Sequence, residues 1–192
     1  MNTVTIQVEG VPETLLSIDR IGVIIFLLLN STHLEGNIAE VGTYKGGLAH
    51  YLNKFSNGKQ VLLFDTFTGI PMKSDIDKHE IGDFSDSNFD EVKNYFSKSD
   101  SIKVVKGLFP ESSKGVISDT DKFCFVHLDA DQYESTLNSL KFFYDKMISG
   151  GVIVFDDYGW LPGVDAALNE FFSDKPEKPI ESTFMQCFII KK

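Results

Sequence analysis

The chain predicts an α/β protein built on a single doubly wound, Rossmann-like sheet, mostly parallel and finished by an antiparallel carboxyl-terminal strand. Three observations predict it. Short apolar runs at 37–41, 60–64, 102–105, 123–128 and 151–155 alternate with segments of helical length, the order that gives a parallel sheet with helices on both faces. The runs Phe123–Leu128 and Gly151–Phe155 are apolar almost throughout, as expected of strands covered on both sides. Two last runs, near 180–184 and 186–190, lie close enough to pair antiparallel.

Taken in order, residues 1–12 read as a lead-in, loose or pairing at an edge. Pro12 starts a helix expected to continue through Asn30. Its second half is apolar on nearly every side, so burial on both faces is expected, one of them against a second subunit in a homodimer. Asn37–Val41 is the first strand, and Gly42-Thr-Tyr-Lys-Gly-Gly47 turns it into a helix reaching Phe55. Gln60–Phe64 is the second strand, ending at Asp65. The polar segment Thr66–Ser87 has no period; a loop of that length is functional or mobile. Asn88 caps a helix to about Lys98, with Glu91 at the capping-box position. Ile102–Val105 is the third strand, and Gly107-Leu-Phe-Pro110 turns into a short helix. A helix from Ser135 to Met147 follows the fourth strand, with Gly150-Gly151 ending it before the fifth. Pro162-Gly163 opens the last helix, to Ser173. One domain over 1–192 is expected, with a helical segment 1–35 and a core 36–192.

Composition narrows the partners. A net charge of -10 argues against nucleic acid and against adsorption to anionic membranes, since both need a basic face. The longest apolar run, Ile21–Leu29, is too short to cross a bilayer and lacks the flanks of a signal peptide, so a cytoplasmic protein is expected. Cys124 and Cys187 both lie in strand-like runs and read as buried free thiols.

The chemistry concentrates where two strands run out. Asp129 and Asp131 follow the fourth strand, and Asp156-Asp157 ends the fifth. In an open parallel sheet ligands bind outside the carboxyl ends of the strands, so four carboxylates converge on that edge. Mutual repulsion makes such a cluster costly unless a positive charge sits within it, and a divalent cation with oxygen ligands is the usual answer. Asp131 lies two residues beyond Asp129, so in an extended stretch both point to the same side. Asp131 is also placed to cap the helix that follows.

The first strand runs into Glu40-Val-Gly-Thr-Tyr-Lys-Gly-Gly47, a turn that lets backbone approach a ligand ahead of a helix amino terminus, or that simply joins strand to helix. It is neither a dinucleotide fingerprint nor a Walker loop, which disfavours phosphate-chain binding. Asp65 ends the second strand where an acid accepts from a ribose diol in nucleotide-binding folds. A nucleoside cofactor without pyrophosphate, such as S-adenosylmethionine, fits this set.

Four blocks now carry a resemblance: Glu40–Gly47, Phe64-Asp-Thr-Phe-Thr-Gly-Ile-Pro71, His127-Leu-Asp-Ala-Asp-Gln-Tyr-Glu-Ser-Thr136, and Gly150–Tyr158 with Pro162-Gly163. In this order they resemble the macrocin O-methyltransferase family, magnesium- and S-adenosylmethionine-dependent class I methyltransferases that tailor natural-product sugars. The resemblance implies that Asp129, Asp156 and Asp157 hold Mg²⁺ and that Asp131 is the general base. It also implies that Glu40, Gly42 and Thr43, with Tyr44, Gly46 and Asp129 beside them, line the methionine end of the cofactor. Asp65 and Thr66 then face the ribose, and Gly107 and Phe109 the adenine. His127 is a candidate for catalysis or for the core. The segment 1–35 is shorter than the amino-terminal part such proteins usually carry, so Thr66–Ser87 is expected to cover the acceptor. His79 and Glu80 in that segment are candidates to reach the acceptor, Tyr158 and Trp160 to stack on a sugar. Asp75, Asp77, Asp83, Asp86 and Asp90 read as a solvated surface.

The expected function is methyl transfer to a hydroxyl of a small, sugar-like acceptor, with Mg²⁺ acidifying the hydroxyl and a carboxylate taking its proton. The alternatives are a non-catalytic cofactor- or metal-binding protein and a metal-dependent hydrolase. The hydrolase needs neither the Glu40 turn nor Asp65.

Overall fold

The computed structural model describes residues 8–183 and 185–192. Most of the lead-in, residues 1–7, and Phe184 at the expected end of a strand lie outside the described residues. Ser17, in extended conformation, precedes helix α1 (Ile18–Ser31). The helix therefore starts later than Pro12. Leu16 is buried, and the backbone of Glu13 and the side chain of Thr14 pack on Gly47, so tertiary docking holds 13–16 out of the helix. α1 buries Ile21, Ile24, Leu27 and Leu28 against the sheet and leaves Phe26 and Leu29 exposed. Among the described residues only one of its faces is covered.

Strand β1 (Asn37–Val41) leads into α2 (Gly47–Phe55), and β2 (Val61–Asp65) into the long segment 66–87. That segment forms no helix or strand but folds on itself: Ile70 N–H donates to Asp83 O at 2.9 Å, and Gly82 N–H to Ile70 O at 3.0 Å. Helix α3 (Phe89–Tyr95) is capped as expected, Asn88 Oδ1 accepting from the N–H groups of Asp90 and Glu91. Then follow β3 (Ile102–Lys106), β4 (Phe123–Leu128), α4 (Tyr133–Phe143), β5 (Met147–Asp156), α5 (Pro162–Phe171), β6 (Ile180–Thr183) and β7 (Gln186–Ile190). α4 ends well before Gly150 because Met147 already pairs with Phe123. Gly150-Gly151 is an irregularity inside β5 rather than the end of a helix.

The seven strands form one sheet in the order β3-β2-β1-β4-β5-β7-β6, with only the β7 pairings antiparallel. Alternation along the strands builds two cores. Leu62, Phe64, Phe123, Ile153 and Phe155 face α4 and α5, while Leu63, Phe125, Val152 and Val154 face α1 and α2. Strand order reverses between β1 and β4, so the crevice for a ligand opens at the carboxyl ends of those two strands. Cys124 and Cys187 are free and buried. No helix among the described residues is long and apolar enough to cross a membrane.

Candidate active site

A cavity of about 300 Å³ opens at that reversal. Glu40, Gly42, Thr43, Tyr44, Asp65, Thr66, Gly107, Phe109, Asp129, Asp131, Asp156 and Asp157 all line it. The ends of all five parallel strands, from Glu40 to Asp157, thus meet at one place.

Two expected residues do not reach it. Gly46 is the residue before α2, and a side chain there would meet Val92 and Phe96, so it serves packing rather than cofactor approach. His127 is fully buried in β4, its Nδ1 3.8 Å from Glu40 Oε1 and both ring nitrogens unpartnered. Burial first, and the Arg20 charge second, push its pKa down to about 3, so the ring is neutral beneath the site and away from any acceptor.

The cofactor half is ordered by short contacts. Asp65 Oδ2 accepts from Tyr44 N–H at 2.7 Å and Oδ1 from Phe67 N–H at 2.6 Å, which aims the carboxylate into the cavity with lone pairs to spare. Gly42 adopts φ +90 and lies so close to β4 that a Cβ would come within 1.8 Å of Asp129 O. The glycine is therefore required by the strand packing itself. Glu40 Oε2 is buried without a partner, as suits a carboxylate awaiting an ammonium group. Burial and the Asp129 charge raise its pKa well above the usual carboxylate range. Phe109 stacks on Phe143 with ring centroids 5.0 Å apart and offers a fixed apolar wall. The donor set fits S-adenosylmethionine.

The acid half lies beside it. One oxygen each from Asp129, Asp156 and Asp157 falls within 4.8 Å of the others, a set of hard donors that fits a divalent cation. Burial, then the charge of Asp157, pushes Asp129 up to about 8; Arg20 opposes this. Asp131 is raised well above its ordinary range by burial and by Asp129 and Asp157. Its backbone is left-handed, φ +59, so Asp131 joins Asp129 through a sharp turn and not through extended alternation. Nor does Asp131 cap α4. The Tyr133 N–H donates 2.8 Å to Asp77 Oδ1, from the long segment, and Gly163 leaves the room that this carboxylate fills. Asp77 is thus buried, contrary to its reading as solvated surface.

Residues that the sequence reading did not assign complete the site. Arg20, the single arginine, reaches from α1 to Asp156 and lies 3.7 Å from Asp157. Leu15, Leu16, Ile70, Pro71, His79 and Phe84 wall the outer cavity. Of these, His79 alone is named above as a candidate to reach the acceptor, and its ring packs edge-on against Phe84 at 4.9 Å. Glu80 instead pairs with Lys73. Trp160 lies outside the cavity, with Lys78 over its ring at 4.4 Å. Asp86 ties the long segment to the glycine turn by accepting from Tyr44 OH at 2.9 Å and pairing with Lys45 at 2.6 Å.

The family profile described as Macrocin-O-methyltransferase (TylF) matches residues 25–191. The chain belongs to the macrocin O-methyltransferase family. Among curated relatives, it is 23% identical over 142 residues to the 8-demethyl-8-(2,3-dimethoxy-alpha-L-rhamnosyl)-tetracenomycin-C 4'-O-methyltransferase of Streptomyces olivaceus, covering 65% of this chain and 54% of that one. It is 25% identical over 161 residues to the demethyldecarbamoylnovobiocin O-methyltransferase of Streptomyces niveus, covering 72% and 59%. The chain spans a little over half the length of these relatives. Among solved structures, the O-methyltransferase NovP superposes with a TM-score of 0.81 at 21% identity, over 93% of this chain and 82% of that one. The calicheamicin methyltransferase CalS11 gives 0.75 at 18%, over 89% and 78%. These likenesses are of fold.

Proposed function

We propose that the chain is an S-adenosylmethionine- and Mg²⁺-dependent O-methyltransferase acting on a hydroxyl of a natural-product sugar or similar diol. One observation carries the reading: the Asp65–Glu40 cofactor wall and the four-acid cluster line the same cavity. A hydrolase or a simple metal store has no use for the first, and a protein that only binds the cofactor has no use for the second. The names of the two Streptomyces relatives, both O-methyltransferases and one of them acting on a rhamnosyl-bearing tetracenomycin, support the acceptor class.

S-adenosylmethionine, when bound, would supply the methyl group that passes to the acceptor oxygen, its sulfur keeping the S–CH₃ electron pair as S-adenosylhomocysteine. Asp65 would hold the ribose, Glu40 the amino end, and Phe109 the adenine face. A cation held by Asp129, Asp156 and Asp157 would supply the charge that acidifies the hydroxyl. Asp131 takes the proton, and the burial and neighbouring acids that raise its pKa make that transfer favourable. Leu15, Leu16, Ile70 and Phe84 exclude water from the reacting atoms. A homodimer through the exposed Phe26–Leu29 face of α1 belongs to the same reading, and a monomeric mass by light scattering at micromolar concentration would count against it.

The test is calorimetric titration with S-adenosylhomocysteine, followed by label transfer from S-adenosylmethionine to a panel of glycosylated acceptors with Mg²⁺ or EDTA. Saturable binding and EDTA-sensitive transfer are expected. No binding of the nucleoside sinks the reading; transfer that survives EDTA removes the cation from it.

A further inference from the structure

The acid cluster already contains a positive charge. Arg20 is the chain's single arginine, it is buried, and its Nη1 donates to Asp156 Oδ2 while standing 3.7 Å from Asp157 Oδ1. The rest of the guanidinium is held from the other side, Nε donating to Ser17 Oγ at 3.3 Å and Nη2 to Leu15 O at 3.4 Å. Asp156 is fixed as well, since Gln186 Nε2 donates to its Oδ1 at 3.5 Å. This is a clamped, desolvated contact and not a surface pair, whose worth would be small.

Two of the three acids that fit a divalent cation are therefore the two that Arg20 faces. Three carboxylates are balanced in full by one guanidinium together with one divalent cation, and by neither alone. We propose that Arg20 is the resident counter-ion of the acid cluster: it holds Asp156 and Asp157 together when no cation is bound, and its charge opposes and so sets the affinity for the cation. Arg20 is then a positioning residue for the metal ligands, and α1 carries it to them. The proposal rests on the cation reading above and concerns a residue that reading does not use.

The test compares wild type with Arg20→Met and with Arg20→Gln, which keeps a polar end but no charge. Melting is followed in EDTA and in Mn²⁺, and Mn²⁺ affinity is measured by calorimetry near pH 8. Removing one partner of a buried pair lowers the melting temperature in EDTA by on the order of 10 °C. Mn²⁺ should restore most of that loss in both variants while moving wild type much less. Loss of the opposing charge should tighten Mn²⁺ binding by roughly tenfold or more. Affinity unchanged within about threefold, or weakened in both variants, overturns the proposal. If neither variant folds in EDTA, both should refold when diluted into Mn²⁺; failure there as well overturns it. Asp129→Asn in the wild-type background reports on the site itself. If Mn²⁺ binds to none of the proteins, the cation reading has failed. If it binds wild type, is lost in Asp129→Asn and ignores Arg20, only this inference has failed.

Discussion

Asp77→Ala should destabilise the protein from a position that looks like loop surface. Asp77 Oδ1 accepts from Tyr133 N–H at 2.8 Å, the first residue of α4, and Oδ2 accepts from Ser74 N–H at 2.8 Å and Ser74 Oγ at 2.6 Å. Gln132, at the cap position, gives α4 no side-chain cap of its own. Loss of the cap costs about 1 kcal/mol and loss of an anion at the helix amino terminus about 0.5. The two Ser74 bonds, to a charged and buried acceptor, add about 1–2 kcal/mol. A total of about 2–4 kcal/mol corresponds to a fall in melting temperature of roughly 4–16 °C for a chain of this size. Asp77→Asn keeps an acceptor oxygen and should lose about half as much. α4 begins two residues after Asp131, so turnover should suffer more than affinity for S-adenosylhomocysteine, whose proposed ribose partner Asp65 is elsewhere. Scanning calorimetry of the three proteins decides it. A melting temperature for Asp77→Ala within about 2 °C of wild type would mean that water replaces these bonds at no cost, and the reasoning would be wrong.

Three further outcomes are expected. Asp131→Asn should keep its affinity for S-adenosylhomocysteine and lose on the order of 10²–10⁴ in turnover; near-normal turnover takes the base role away from Asp131. Asp65→Ala should weaken S-adenosylhomocysteine binding by roughly tenfold or more, since a charged hydrogen-bond acceptor to the ribose is removed; unchanged affinity by calorimetry puts the nucleoside elsewhere. In EDTA the protein should lose stability as pH rises from about 6.5 to 8.5. Asp129, pushed up to about 8, binds its proton more tightly folded than unfolded, so its contribution is full in acid and lost as pH rises through that value. Asp131 and Asp156, also raised, act in the same direction. His127, pushed down to about 3, contributes above its ordinary range near 6.5 and loses that only as pH falls below it, outside this window. A melting temperature that stays flat or rises across the window refutes the assignment, and Mg²⁺ should reduce the slope.

The sheet and the acids were legible because each is dictated by its own few residues. An apolar run such as Phe123–Leu128 can only be a covered strand, and an acid directly after it can only stand at the sheet's carboxyl edge. The helix boundaries that failed did so where distant packing overrode local preference. Met147 belongs to a strand because Phe123 pairs with it, and 13–16 stay out of α1 because Leu16 is drawn into the core. Arg20 and Asp77 were invisible for a related reason. A charge on an apolar helix normally extends to water, and an acid in a polar segment normally stays there. What makes these two different is a partner 136 or 56 residues away, and no periodicity records such a pairing.

That division has a consequence for what the site accepts. The strand ends carry the acids of the proposed chemistry: Glu40 and Asp65 at β1 and β2, Asp129, Asp156 and Asp157 at β4 and β5. The walls over them come from Leu15, Leu16, Ile70, Pro71, His79 and Phe84, in two segments without regular structure that are bound together by the Tyr44–Asp86 and Lys45–Glu13 contacts. A change in those segments alters the shape offered to an acceptor without moving a strand end. On the function proposed above, acceptor choice belongs to the walls, while the strand ends set which bond is made.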